Sequence, residues 1–211
     1  MNVNRSIPEA DERTRYKRII RAAEELFKKH GFRGVTMEAV ACDAVVAKAT
    51  LYSYFKHKDA LFLAVCTRMA ELLERAFAAA LRKQDAPLDL RIGDAILGKH
   101  RLAFELIRSS PHAEELYSHK AQLAGHVFAR MNETMLGLLT EALQGDPALR
   151  PHAPRLARAL YFGSGDLAAR STGVAEMDAD VSAFVATHLA GARALHAVLP
   201  QPATRRASAR A

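Results

Sequence analysis

A chain of 211 residues, half of them apolar, is long enough for one or two compact domains with a sizeable core and too short for several independent modules. Its net charge of +7 is unevenly placed: residues 1–60 carry 12 Lys/Arg against 8 Asp/Glu, residues 61–211 carry 18 against 15, and Arg205, Arg206 and Arg210 stand at the extreme C-terminus. A basic N-terminal end on a near-neutral body suits a nucleic-acid-binding head. No segment approaches the ~18 uncharged apolar residues of a membrane span, and the start lacks the apolar stretch of a signal peptide, so no membrane association and a cytoplasmic location are expected. Cys42 and Cys66 form no C-x-x-C pair and read as small buried apolar residues in a reducing compartment.

Taken in chain order, the periodic segments read as helices throughout, and no window alternates as a strand does. An all-α fold follows. Residues 1–12 are polar, contain Pro8 and are expected to form a flexible arm in which Arg5, with Arg13 just beyond, faces a DNA minor groove. The first helix is expected over Arg13 to His30, with Tyr16, Ile19, Ile20, Ala23, Leu26 and Phe27 on one face and Gly31 as a left-handed cap. Thr36 is a good N-cap for a short helix that ends near Asp43. A third, about Ala47 to Tyr54, is too short to fold alone and needs Leu51 and Phe55 seated on its neighbours.

A long amphipathic helix is expected over Lys58 to Lys83, followed by helices over Leu90–Arg108, Pro111–His119, Ala121–Gln144, Ala153–Ser171 and Asp178–Leu199. Gly163-Ser164-Gly165-Asp166 is expected to interrupt or kink its helix, and residues 200–211 to be a disordered basic tail.

Two short helices joined by a tight turn and packed on a longer one describe a helix-turn-helix over about residues 36–55, whose second short helix enters the major groove. With Leu51 and Phe55 turned inward, Lys48, Thr50, Ser53 and Tyr54 are left to face bases and phosphates.

The stretch from Arg18 to Val65 resembles the N-terminal domain of the TetR family of transcriptional regulators. The resemblance is carried by Ala22-Ala23, Phe27, Gly31-Phe32, Thr36, Thr50-Leu51-Tyr52, Phe55, Lys58 and Leu61. It implies a helix-turn-helix domain over 13–65 and an effector-binding and dimerisation domain over 66–199. The implied protein is a homodimeric repressor, released from a double-stranded DNA operator by a small-molecule effector and using no cofactor. Matched position by position, Thr36 and Lys58 contact phosphates, Tyr52 and Tyr54 fall at phosphate- or groove-facing positions, and Lys48, Ala49, Thr50 and Ser53 align with the base-reading surface. Tyr52 also reads as a packing residue between the third and fourth helices.

Three departures from the family pattern fall in the turn and helix entrance. Val45 stands where most members have glycine, Ala47 where they have serine and Ala49 where they have a second glycine. A β-branched residue in a left-handed turn costs about 1–2 kcal/mol, and loss of the hydroxyl cap about 1 kcal/mol, so the turn either carries strain or takes another geometry.

In the C-terminal region, Ala157, Ala159, Gly163, Gly165 and Ala168, then Ala183, Ala186, Ala190 and Ala194, suit close helix packing, either within the chain or in a four-helix dimer interface. Phe104, Tyr117, Phe128, Met131, Met135, Tyr161, Phe162 and Phe184 are candidate ligand-pocket residues, although such spacing also describes plain core. His112, Glu115 and His119, with His126 nearby, read as a solvated titratable face rather than a metal site. No G-x-S-x-G, P-loop, dinucleotide fingerprint or H-E-x-x-H is present, and no enzymatic activity is expected. The competing reading is a helical ligand- or partner-binding protein whose DNA head has lost activity.

Overall fold

The computed structural model describes residues 9–198, so Arg5 of the expected arm and the basic tail lie outside the described residues. Among these, all regular structure is helical. The helices are α1 (Glu9–His30), α2 (Met37–Asp43), α3 (Lys48–Tyr54), α4 (Lys58–Leu81), α5 (Leu88–Ala103), α6 (Ala113–Gln144), α7 (Ala153–Arg170) and α8 (Val174–Val198). A π-helical turn, Phe104–Arg108, follows α5, and a 3₁₀ turn, Arg150–His152, precedes α7.

Several elements differ from the sequence expectation. The first helix starts at Glu9, so the described part of the expected arm is helical; Asp11 and Glu12 suit the positive end of the helix dipole, and Asp11 pairs with Arg15 one turn on. The two segments expected on either side of Lys120 are one 32-residue helix, α6, because His119-Lys120-Ala121 contains no helix breaker. Gly163-Ser164-Gly165-Asp166 does not interrupt α7. The Ser164 hydroxyl donates to the Tyr161 carbonyl at 3.1 Å, and Gly163 leaves space for Phe184, whose Cζ would stand 2.5 Å from a Cβ at that position. Cys66 is buried as expected, whereas Cys42 is exposed on α2.

The chain forms two compact units, which do not follow a single cut near residue 65. The first comprises the chain through Ala79 with Gly98–Met135, and the second Ala80–Leu97 with the chain from Leu136 onward. In the first, Ile19, Ile20, Ala23 and Phe27 of α1, Val40 and Ala41 of α2, Leu51 of α3, and Leu61 and Phe62 of α4 are buried. Each large apolar side chain so buried contributes about 1.5–3 kcal/mol. An aromatic cluster lies within this unit: Phe32 stacks on Phe27 (5.8 Å between centroids), meets Phe62 edge-on (5.2 Å) and stacks against the His119 ring (4.2 Å).

The second unit is drawn together by Arg193 of α8. Its guanidinium forks onto Asp89 at 2.6 and 2.8 Å and also donates to Asp146, at 3.0 Å, in the loop after α6. Two carboxylates on one planar cation give α8 a directional tie to the start of α5, which apolar packing does not supply.

Near the end of α5, burial and the neighbouring Lys99 charge push the His100 imidazole down from 6.5 to about 3, and burial alone pushes the Lys99 ammonium down to about 7. Below pH 6.5 the unfolded chain binds a proton at His100 that the folded chain refuses, so stability falls with pH through that window. The Glu38 and Glu176 carboxyls, held below their usual 4.5 first by hydrogen bonds from Lys48 and Thr172 respectively, stay ionised in its upper part. Between pH 6.5 and 4.5 the unfolding free energy should therefore fall with a slope approaching about 1.4 kcal/mol per pH unit, and His100→Met should flatten it. Urea titrations at stepped pH read this directly; an unchanged slope in the variant would place the acid sensitivity elsewhere.

Candidate nucleic-acid interface

The helix-turn-helix is built from its ends inward. Gly31, at φ +71°, closes α1 with its N–H on the Phe27 carbonyl at 2.9 Å, and a side chain there would collide with the Glu115 carboxylate. Thr36 then caps α2, its Oγ1 accepting from the Ala39 N–H at 3.1 Å, as the sequence predicts.

The turn after α2 is a Schellman closure. Val45 N–H donates to the Cys42 carbonyl at 3.1 Å and Val46 N–H to the Ala41 carbonyl at 3.0 Å. This geometry needs a left-handed residue, and Val45 supplies it at φ +52°, the one non-glycine positive φ among the described residues. Of the two outcomes open from sequence, the turn keeps the geometry and carries the strain. Val45 is 77% exposed, so no packing of its side chain offsets that cost. Ala47 then opens α3 in extended conformation with no side-chain cap.

On α3, Leu51 is fully buried and Phe55 nearly so, with Phe55 5.8 Å from the Tyr16 ring. The opposite face presents Lys48, Ala49 and Ser53, all exposed, with Thr50 half-buried. The Ser53 hydroxyl donates to the Thr50 carbonyl at 2.7 Å. Lys48 pairs with Glu38 of α2 at 2.5 Å, and its ammonium lies 5.8 Å from the Tyr52 ring centroid. Both partners are more than half exposed, so the pair contributes little to stability. It parks the lysine at the surface in a geometry that a stronger anion can replace. Glu38 was not legible in the sequence because it lies ten residues from its partner; the hint was an acidic side chain in the first turn of α2 opposite the lysine that opens α3.

Two further positions have uses beyond those the resemblance implies. The Lys58 ammonium is half-buried and donates to the carbonyls of Phe32 (2.8 Å) and Val35 (2.9 Å) while resting 4.6 Å from the Phe32 ring centroid. It thereby holds the loop that delivers Thr36. The Tyr54 hydroxyl donates to the Glu12 carbonyl at 3.4 Å and its ring lies 6.1 Å from Tyr16, so this side chain braces α3 against α1. Beside it, Glu12, Arg13, Tyr16 and Lys17 line a shallow surface groove.

The histidine grouping is not the free solvated face expected from sequence. Glu115 Oε1 accepts the Arg33 N–H at 2.8 Å, His112 precedes α6, and His119 stacks on Phe32. The group fastens the loop after α1 to the start of α6, and no set of three metal-ligating side chains occurs among the described residues. Of the candidate pocket residues, Phe104, Tyr117, Phe128, Met131 and Met135 belong to the first unit, and Tyr161, Phe162 and Phe184 to the second. Met131, Met135 and Tyr161 are buried, Phe104, Tyr117, Phe128 and Phe184 half-buried, and Phe162 is 47% exposed.

A capped short helix, a left-handed turn and a second short helix with one buried and one polar face, set on a longer helix, define a helix-turn-helix, the motif of one class of DNA-binding proteins. Residues 19–65 match the profile of the tetR family of bacterial regulatory proteins. It is similar to the HTH-type transcriptional regulator RutR of Escherichia coli (strain K12), 36% identical over 101 residues that cover 48% of this chain and 45% of that protein. The match thus spans about half the length of that relative. The fatty acid metabolism regulator protein of Bacillus subtilis (strain 168) is 26% identical over 161 residues, 74% of this chain and 81% of its own. A transcriptional regulator from Rhodococcus sp. Rha1 shares the fold with a TM-score of 0.65 at 17% identity, over 87% of this chain and 98% of that one.

Relieving the turn gives a stability test. Val45→Gly should stabilise the protein by about 0.5–1 kcal/mol, the strain removed less the added freedom of the unfolded chain. Ala47→Ser should add about 0.5–1 kcal/mol through a new cap. Together they should raise the melting temperature by about 2–8 °C, at about 2–4 °C per kcal/mol for a chain of this size. A calorimetric melt in which both substitutions lower the midpoint would show that the turn is not the strained element.

Proposed function

We propose that the protein is a homodimeric, sequence-specific DNA-binding repressor released from its operator by a small-molecule ligand. The observation that carries this is the exposed face of α3, where Lys48, Ala49, Thr50 and Ser53 are presented together while Leu51 and Phe55 anchor the helix from behind. Lysine offers donors to guanine edges or phosphate, the hydroxyls suit either, and the Ala49 methyl meets a thymine methyl. Thr36 keeps a hydroxyl proton for a phosphate at the start of α2. Tyr52 flanks Lys48. Tyr54 and Lys58 hold the reading head in shape, with Lys58 at the helix start keeping its charge near the phosphate position of Thr36.

One short helix reads too few bases for operator specificity, and a second copy supplies the other half-site. In the second unit, Ala183, Ala186, Ala190 and Ala194 are all exposed on α8, beside a groove lined by Leu156, Ala159, His188, Gly191 and Leu195. Phe162 and Leu195 are 47% and 58% exposed. A small-residue face carrying large exposed apolar groups fits a self-complementary helical interface. Dimer occupation of a promoter excludes polymerase without further contacts, which favours repression.

The test is a gel shift with the intergenic DNA beside the protein's own gene. A sequence-specific complex that weakens steeply with salt is expected. Lys48→Ala should cost about 1–3 kcal/mol and relax base preference at one position of each half-site. Phe162→Glu should give a monomer by sedimentation and weaken the complex. Absence of any shift at every protein concentration would favour a ligand- or partner-binding helical protein with an inactive head.

A further inference from the structure

Within the first unit, behind the reading head, lies a small cavity of about 40 Å³. Its walls come from Phe27 of α1, Phe62, Val65 and Met69 of α4, Leu106 and Ile107 of the π-helical turn, and Leu116 of α6, with Glu24, Lys28, Cys66 and Lys120 as its polar members. None of the eight pocket candidates read from the sequence lines it. The two cations differ in how they are held. Lys28 donates to the Glu105 carbonyl at 2.6 Å. The Lys120 ammonium instead lies over two rings, 4.8 Å from the Tyr117 centroid and 4.4 Å from that of Phe128, with no hydrogen bond or ion pair from the described residues.

A half-buried ammonium held only by ring faces is under-compensated, because two cation–π contacts return less than the hydration they replace. Burial accordingly lowers its proton affinity. The other acids at the wall do not answer it: the Cys66 thiol is pushed up by burial to about 12 and stays neutral, and the Glu24 carboxylate faces Arg68 at 3.7 Å. An apolar void with Lys120 in its wall, a lysine with neither hydrogen-bond acceptor nor anion among the described residues, is complementary to a molecule with one negative head and a short apolar tail. At ~10–15 Å³ for each water-sized occupant, the void holds about three or four such volumes, the bulk of a carboxylate with a very short alkyl group, so longer tails must displace wall side chains.

We propose that this cavity binds a short-chain monocarboxylate, its carboxylate on the Lys120 ammonium and its alkyl tail among Phe27, Phe62, Ile107 and Leu116. The π-helical wall supports the assignment, since the Ser109 N–H reaches back five residues to the Phe104 carbonyl at 2.9 Å and such bulged turns concentrate at functional sites. The Ser110 hydroxyl donates to the Lys28 carbonyl at 2.6 Å, so the site lies beside the contacts by which α1 holds this turn. That placement suits a ligand that alters DNA binding, a consequence that rests on the repressor reading; the binding itself does not.

Isothermal titration of the DNA-free full chain with acetate, butyrate and hexanoate, against 1-butanol and butylamine at matched ionic strength, tests the site. Saturable binding of an acid and none of the alcohol or amine is expected, weakened about ten-fold or more by Lys120→Met and abolished by Leu116→Phe, which fills the void. Equal binding of acid and alcohol, undiminished affinity in a folded Lys120→Met protein, or no saturable acid binding would overturn the proposal. If circular dichroism shows Lys120→Met unfolded, Lys120→Arg replaces it: retained acid binding there, with loss in Leu116→Phe, supports the site, and affinity unaltered by Leu116→Phe overturns it. A gel shift with and without butyrate then reads the regulatory consequence separately. Acid binding without a DNA complex would sink only the repressor reading, and a DNA complex without acid binding only the cavity assignment.

Discussion

The reading head depends on one side chain, Phe32, and the charge held above it. Its ring stacks on Phe27, meets Phe62 edge-on and carries His119 on a face, and the Lys58 ammonium rests 4.6 Å from its centroid while donating to the Phe32 carbonyl. Helices of seven residues, such as α2 and α3, have too few internal hydrogen bonds to repay their nucleation and exist only where a larger framework receives their apolar faces. The Phe32 cluster supplies that framework by joining α1, α4 and the start of α6. Lys58 adds what aromatic packing lacks, a directional hold on the two carbonyls that lead into Thr36.

Against that support, the turn between the two short helices works at a disadvantage. Its Schellman hydrogen bonds demand a left-handed residue, and the chain offers a β-branched one, fully in solvent, followed by a helix start without a hydroxyl cap. Both costs are small beside the burial of Leu51 and Phe55, which explains why the geometry survives them. They also fall on the element proposed to enter a DNA groove, so α3 has less margin against local opening than the helices that carry it.

The head was legible from sequence to the level of single residues. Gly31 as cap, Thr36 as N-cap, Leu51 and Phe55 as anchors, and Val45 and Ala47 as anomalies are local matters of backbone conformation and helical period, which neighbouring residues decide. What escaped are interactions between distant parts of the chain. The Lys48–Glu38 pair, the turning of Lys58 onto carbonyls and the hold of Glu115 on Arg33 depend on how elements approach, and no spacing rule reports that. The break expected at Lys120 was an error of another sort: the titratable side chains around it resemble a loop in composition, yet none of them breaks a helix.

Lys120 also shows how the polar residues of this unit divide by the company they keep. Lys58 and Lys28 are half-buried and each finds backbone carbonyls, so their charge is absorbed in holding loops. Lys48 is exposed and paired with a carboxylate that water can readily replace, which leaves it available to an external anion. Among the described residues Lys120 has neither carbonyls nor a carboxylate, only two rings and a largely apolar wall. A folded chain tolerates such an uncompensated charge at a cost in stability, and that cost is recovered only when an anion arrives. Lys48 at the surface and the half-buried Lys120 are therefore two cations of this unit whose partners leave room for an anion, proposed as a phosphate or base edge for the one and a small acid for the other, with the Phe32 cluster packed in the same unit.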